Sequence, residues 1–114
     1  MDLMSRDVDA RKFRRVPFSR SVRLNALNQG QFSGHLAQDI SQGGIRVTSY
    51  EFVPVNTLIN VRIQLKDTMR VMDLQGRVVW VRFQPMTETY QLGLEFSDQA
   101  VYQRDTISNY ISSV

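Results

Sequence analysis

Two short groups of residues carry the chemistry of this chain. Asp39-Ile40-Ser41-Gln42-Gly43-Gly44 packs a carboxylate, a hydroxyl and two glycines into six positions, and Arg11-x-x-x-Arg15 sets two guanidinium groups upstream of it. A carboxylate accepts two parallel hydrogen bonds, and a hydroxyl gives or takes one. Glycine lets the backbone turn sharply or meet a ligand with no Cβ in the way. An arginine fork suits phosphates and base edges better than a lysine does. Standing alone, the first group is a strand connection, since Asp and Ser begin turns and Gly supplies φ > 0. The second alone is a basic arm with general affinity for polyanions. Neither reads as a catalytic centre. Asp39 and Ser41 have no histidine or lysine base nearby in sequence to make a nucleophilic pair. The one histidine, His35, lies mid-strand with no neighbouring acid and reads as structural or surface.

Short strands must position these groups. Pro17 disfavours helix for Val16, so the basic cluster lies on an extended segment just before the first strand. Phe18 to Leu27 alternates Val22, Leu24 and Ala26 against Arg23 and Asn25, and Asn28-Gln29-Gly30 reads as a hairpin turn. Gln31 to Ile40, less regular, is the second strand, and Ile45 to Thr48 the third. Pro54 and Asn56 break the connection that follows. Leu58 to Leu65 then gives the cleanest alternation in the chain, with Ile59, Val61, Ile63 and Leu65 against Asn60, Arg62 and Gln64. Met69 to Phe83 is long for one strand. It sets Leu74, Val78 and Trp80 on one face and Val79, Val81 and Phe83 on the other, with Gly76 as a candidate bulge. Tyr90 to Phe96 closes the series. Ser97 or Asp98 is a candidate cap for a helix over roughly 99–111, with Ala100, Ile107 and Ile111 as its apolar stripe. Five or six short strands with turn signals between them predict an all-β fold, a small closed antiparallel barrel.

The 114 residues suffice for one domain. No apolar run approaches the ~20 residues of a membrane span, the first residues lack the apolar core of a secretory signal, and cysteine is absent. No disulfide framework or thiolate metal site is available, and the expected location is cytoplasmic. Charge is concentrated at one end. Arg11, Lys12, Arg14, Arg15, Arg20 and Arg23 fall within thirteen residues that contain no acid; residues 1–23 carry a net +4 and the remaining 91 carry −1.

Arg11-x-x-x-Arg15, Asp39-x-Ser41-x-x-Gly44 and the 23 residues between them resemble the PilZ domain, the bacterial receptor module for cyclic di-GMP. Gly76-Arg77-Val78-Val79-Trp80-Val81 and Tyr90-Gln91-Leu92-Gly93-Leu94-Glu95-Phe96 are similar to that family's penultimate and last barrel strands, so the likeness runs from residue 11 to about 97. It implies a leader over 1–10 and a PilZ domain over 11–114. Within that domain lie a ligand-binding arm (11–17), a six-stranded barrel (18–96) and a C-terminal helix (98–111). It also implies no enzymatic activity and no cofactor or metal, with cyclic di-GMP bound between arm and barrel as a ligand. Arg11 and Arg15 would hold phosphate and guanine acceptors, and Asp39 the guanine N–H edge. Ser41 would add a hydrogen bond, and Gly43 and Gly44 would let the backbone come close. Arg14 stands between a phosphate contact and solvent.

The residue chemistry agrees with that assignment. Guanine offers O6 and N7 to an arginine fork and two N–H donors to a carboxylate, which adenine does not. Fixing five residues of a mobile arm costs ~5–10 kcal/mol at ~1–2 each, and three or four charge-assisted hydrogen bonds return ~5–12 kcal/mol. These nearly cancel, so nucleotide is expected to order the arm onto the barrel and change contacts with a partner protein. With no second domain expected as output, that partner acts in trans, in motility, pili or exopolysaccharide synthesis and hence biofilm formation. The chain would work as a monomer or weak homodimer, without DNA or membrane insertion. The alternatives are a PilZ-like adaptor that binds no nucleotide, and a small-barrel RNA binder that uses the basic arm.

Overall fold

The computed structural model describes residues 13–26, 30–65, 71–97 and 99–113, with side chains for all of these except 26 and 30–35. Arg11, Lys12, the turn at 28–29 and the side chain of His35 lie outside that description. The strands are β1 (Val16–Pro17), β2 (Ser21–Ala26), β3 (Gly30–Ser41), β4 (Gly44–Ser49), β5 (Leu58–Ile63), β6 (Met72–Gln84) and β7 (Thr89–Ser97), followed by one helix, α1 (Val101–Ser112).

Alternation produces this arrangement. On β5, Ile59, Val61 and Ile63 point inward and are at most 1% exposed, while Leu58 and Arg62 face solvent. Val22 and Leu24 do the same on β2, and Leu92, Leu94 and Phe96 on β7. Strands with one apolar face bury it by curling on themselves. They run antiparallel in the order β3-β2-β5-β6-β7-β4, and β4 pairs back onto β3 to close a six-stranded barrel. β1 stands outside as a seventh strand. It pairs with Ile40 and Asp39 of β3, beyond the stretch of that edge which β2 occupies. An edge position suits Pro17, which has no N–H to give to a ladder.

Two departures from strict alternation matter for the site. Ala37 and Ile40 are both fully buried although three residues apart, because the β3–β4 register shifts between Ala37 and Asp39. That bulge puts Gln38 and Asp39 together on the outer surface. A second shift falls between Val78 and Trp80 on β6, not at Gly76, which keeps regular partners in Ile59 and Phe96. Trp80 consequently leaves the inward series of Leu74 and Val78 and stands on the outside, while Val81 turns inward opposite Leu92.

The helix packs over one end of the barrel through Ile107 and Ile111, with Phe18 edge-on to Tyr110 at 5.7 Å. Its cap is neither Ser97, which belongs to β7, nor Asp98, which lies outside the described residues. Ala100 occupies that position, and Gln103 supplies the chemistry: its Oε1 accepts from the Ala100 N–H at 3.0 Å. Gln103 also replaces Ala100 in the buried stripe. At the other end Phe52 and Phe83 each meet Tyr90, with ring centroids 5.6 and 5.1 Å apart.

Candidate functional site

The β3–β4 hairpin turns through Gln42 and Gly43 alone. Ser41, 2% exposed, accepts from the N–H groups of Gly43 and Gly44 at 3.2 Å each, so its hydroxyl holds the turn closed. The turn's carbonyls are tied as well: Phe96 N–H donates to Gly43 O at 2.9 Å, and Gln99 Nε2 to Gln42 O at 3.1 Å. Neither glycine lies in the left-handed region, so φ > 0 is not why they are there. Gly44 has no room for a Cβ, which would collide with the Leu94 carbonyl oxygen of β7. At Gly43 a Cβ would come within 3.0 Å of the Phe13 ring, which rests on this turn. Both glycines are thus closely approached by the protein's own atoms.

Asp39 is the hub of the outer surface. Its Oδ1 accepts from Arg15 Nη1 and its Oδ2 from Arg46 Nη2, each at 2.6 Å. The Asp39 side chain is 12% exposed and those of Arg15 and Arg46 44% and 39%. Backbone register explains the convergence: Asp39 faces Arg46 across β3–β4 and Pro17 across β1–β3, which brings Arg15 alongside. Arg46 Nε is buried with no hydrogen-bond partner, so this guanidinium is only partly satisfied by Asp39.

Beyond Asp39 the surface continues as a band across three strands. Arg46, Gly93 and Trp80 form one cross-strand row, and Thr48, Gln91 and Arg82 the next. Trp80 lies directly over Gly93, where any Cβ would overlap the indole, and the Arg82 guanidinium sits 5.7 Å from its ring centroid. Gln38 Nε2 donates to Thr48 Oγ1, and Gln91 Nε2 to Gln38 Oε1 at 2.8 Å. The band therefore combines arginine forks for acceptor oxygens, amides for polar edges and an indole face for a flat ring.

Of the expected site residues, Arg15, Asp39, Ser41, Gly43 and Gly44 come together at this end of the β3–β4 hairpin. Arg14 does not join them. Its Nη1 donates to the Ile111 carbonyl at 3.5 Å, at the C-terminus of α1, where the helix dipole favours a cation. Arg11 lies outside the described residues. Arg46, Gln38 and Gln91 were missing from the sequence reading. Strand register is what brings them in, and their signal was the irregular alternation before Asp39. No trio of His, Cys, Asp or Glu among the described residues is placed to hold a metal, and no helix among them is long and apolar enough to cross a membrane.

The PilZ domain family model matches residues 9–113. The fold is similar to the structure of the Bacillus subtilis inhibitor of motility (MotI/DgrA), with a TM-score of 0.70 at 18% identity over 90% of this chain and 50% of that one. It is also similar to the K. pneumonia MrkH–c-di-GMP complex, with a TM-score of 0.67 at 14% identity over 88% of this chain and 50% of that one. The chain thus spans about half the length of each of these two proteins. No curated protein sequence matches it. A six-stranded barrel with an outer strand, the two spaced motifs and a family match over nearly the whole length make this chain a member of the PilZ domain family.

Proposed function

We propose that the chain is a cyclic di-GMP-binding effector, without catalytic activity, that holds the nucleotide against the outer band of β3, β4 and β7. The observation that carries this reading is the convergence of Arg15 and Arg46 on Asp39, beside a turn held by Ser41. The likeness to MrkH, solved as a complex with c-di-GMP, supports it. Binding works by exchange of partners. The Arg15 fork leaves Oδ1 of Asp39 for a guanine or phosphate acceptor, and the vacated oxygen takes a guanine N–H. Arg46 keeps Asp39 oriented throughout. Arg11 adds a second fork from the arm. Ser41, Gly43 and Gly44 shape the turn beneath the ligand. Phe13, Arg14 and Arg15 already have seats on Gly43, Ile111 and Asp39, so the change passed to a partner is a reseating of residues 13–15.

Machinery for motility, pili or exopolysaccharide is the class of partner expected, and the likeness to an inhibitor of motility favours the first. Calorimetric titration with cyclic di-GMP, GTP and a short RNA tests the reading. Heat only from cyclic di-GMP, lost in Arg15→Ala and Asp39→Ala variants that remain folded, is the expected result. Binding retained in both variants, or saturable binding of the RNA alone, defeats it.

A further inference from the structure

With six strands round the barrel, the β2–β5 seam lies opposite the β4–β7 seam that carries the nucleotide band. On it Arg23 directly faces Arg62, and Asn25 faces Asn60. These four side chains line an open pocket of ≈ 150 Å³, and all of them are polar. Like charges set opposite each other on neighbouring strands oppose pairing, so this row calls for counter-charge. Asp73 on β6 supplies part of it. Arg62 Nε and Nη2 donate to its Oδ1 and Oδ2 at 2.9 and 3.2 Å, and Asn60 Nδ2 to Oδ1 at 3.4 Å. Among the described residues nothing does the same for Arg23, which is exposed. Among the described residues the row keeps one uncompensated positive charge, next to a pair of amides.

We propose that this pocket is a docking site for an acidic segment of a partner protein, with one Asp or Glu carboxylate held by the Arg23 fork beside Nη1 of Arg62, whose Nε and Nη2 stay on Asp73. A fork takes a carboxylate through two parallel hydrogen bonds. Asn25 and Asn60 each offer a donor and an acceptor, the complement of a peptide group. Charge selects the occupant: one net positive charge balances a carboxylate and leaves a phosphate, at about −1.5 to −2, in excess. The position on the far wall keeps the pocket accessible whatever the nucleotide band holds. Arg23, Asn25, Asn60 and Arg62 share no residue with the nucleotide band.

The test is an amide-resolved NMR titration of the full chain with the peptide acetyl-Gly-Glu-Asp-Glu-Gly-amide, with its lysine-substituted counterpart and with inorganic phosphate. The expected result is saturable shifts at 22–25 and 60–62 from the acidic peptide only, weakening as salt is raised. Arg23→Gln should weaken that binding by about three- to tenfold, and Asp73→Asn, which releases the Arg62 fork, should strengthen it by a similar factor. Unchanged affinity in both variants overturns the proposal, as do shifts centred on Asp39 and Arg46 or no saturable shift at all. Equal saturation by phosphate shows a general anion site and overturns it too.

Discussion

On each of two opposite walls of the barrel two arginines stand together with one aspartate, and the order in which they stand sets the two groups apart. On the β3–β4 wall the acid is in the middle: Asp39 gives one oxygen to Arg15 and the other to Arg46 and is 12% exposed. On the β2–β5–β6 wall an arginine is in the middle. Arg62 spends its fork on Asp73, Arg23 is left over, and both members of the Arg62–Asp73 pair are about half exposed, at 50% and 49%. The first is a closed cluster with both carboxylate oxygens engaged. The second is an open row in which, among the described residues, one guanidinium is paired and one is not. The same three side-chain types thus give a closed cluster or an open row according to strand register.

Substitutions can break that contrast, beginning beneath the closed cluster. Gly44→Ala would drive a Cβ into the Leu94 carbonyl and part β4 from β7. A loss of ~2–4 kcal/mol in urea unfolding is expected, with nucleotide binding lost as well; unfolding at the wild-type midpoint would show that the turn has slack. Asp39→Ala leaves two guanidinium groups facing each other without their acid. It should cost ~1–3 kcal/mol and abolish the cyclic di-GMP heat. Next comes Gly93→Ala, which displaces Trp80 from its seat at ~1–3 kcal/mol. The chain has one tryptophan, so a red-shifted emission reports the displacement directly.

On the open wall the effects should be smaller. Asp73→Ala should destabilise less than Asp39→Ala, because an exposed ion pair is screened by water and salt. The Arg62 hydrogen bond holds the Asp73 carboxyl below its ordinary 3.8. Because the folded value is the lower one, the stability from this pair is fully present above pH ~4 and is lost as pH falls through the depressed value. Thermal melts of Asp73→Asn should therefore show a shallower decline than wild type below pH 4. Equal slopes would mean that the pair forms no bond in solution.

How much of this was legible in the sequence varies with the kind of interaction. Strands whose two faces differ cleanly, such as Leu58 to Ile63, could be read from side-chain type, and so could the barrel that such strands imply. The fold brings one residue of each motif together, since Arg15 meets Asp39. What stayed hidden depends on single-residue slips. The bulge between Ala37 and Asp39 and the shift between Val78 and Trp80 each move a side chain to the other face, and neither is set by local composition. Arg46 was missed because its importance comes from standing across from Asp39. The structural parts of Ser41 and Gly44 are equally hidden in the sequence: the hydroxyl closes the turn, and the missing Cβ accommodates a neighbouring carbonyl.

The C-terminal helix touches both walls. Gln99, just ahead of it, grips the Gln42 carbonyl of the hairpin, and Gln103 in its first turn donates to the Asp73 carbonyl of β6 at 2.7 Å. Its final turn receives Arg14. It is a strut with three anchor points, one on the arm and one on each side of the barrel. The arm, the hairpin and the strand that carries Asp73 are therefore all tied to the same C-terminal segment, so removing that segment would free one hydrogen-bond partner on each of them.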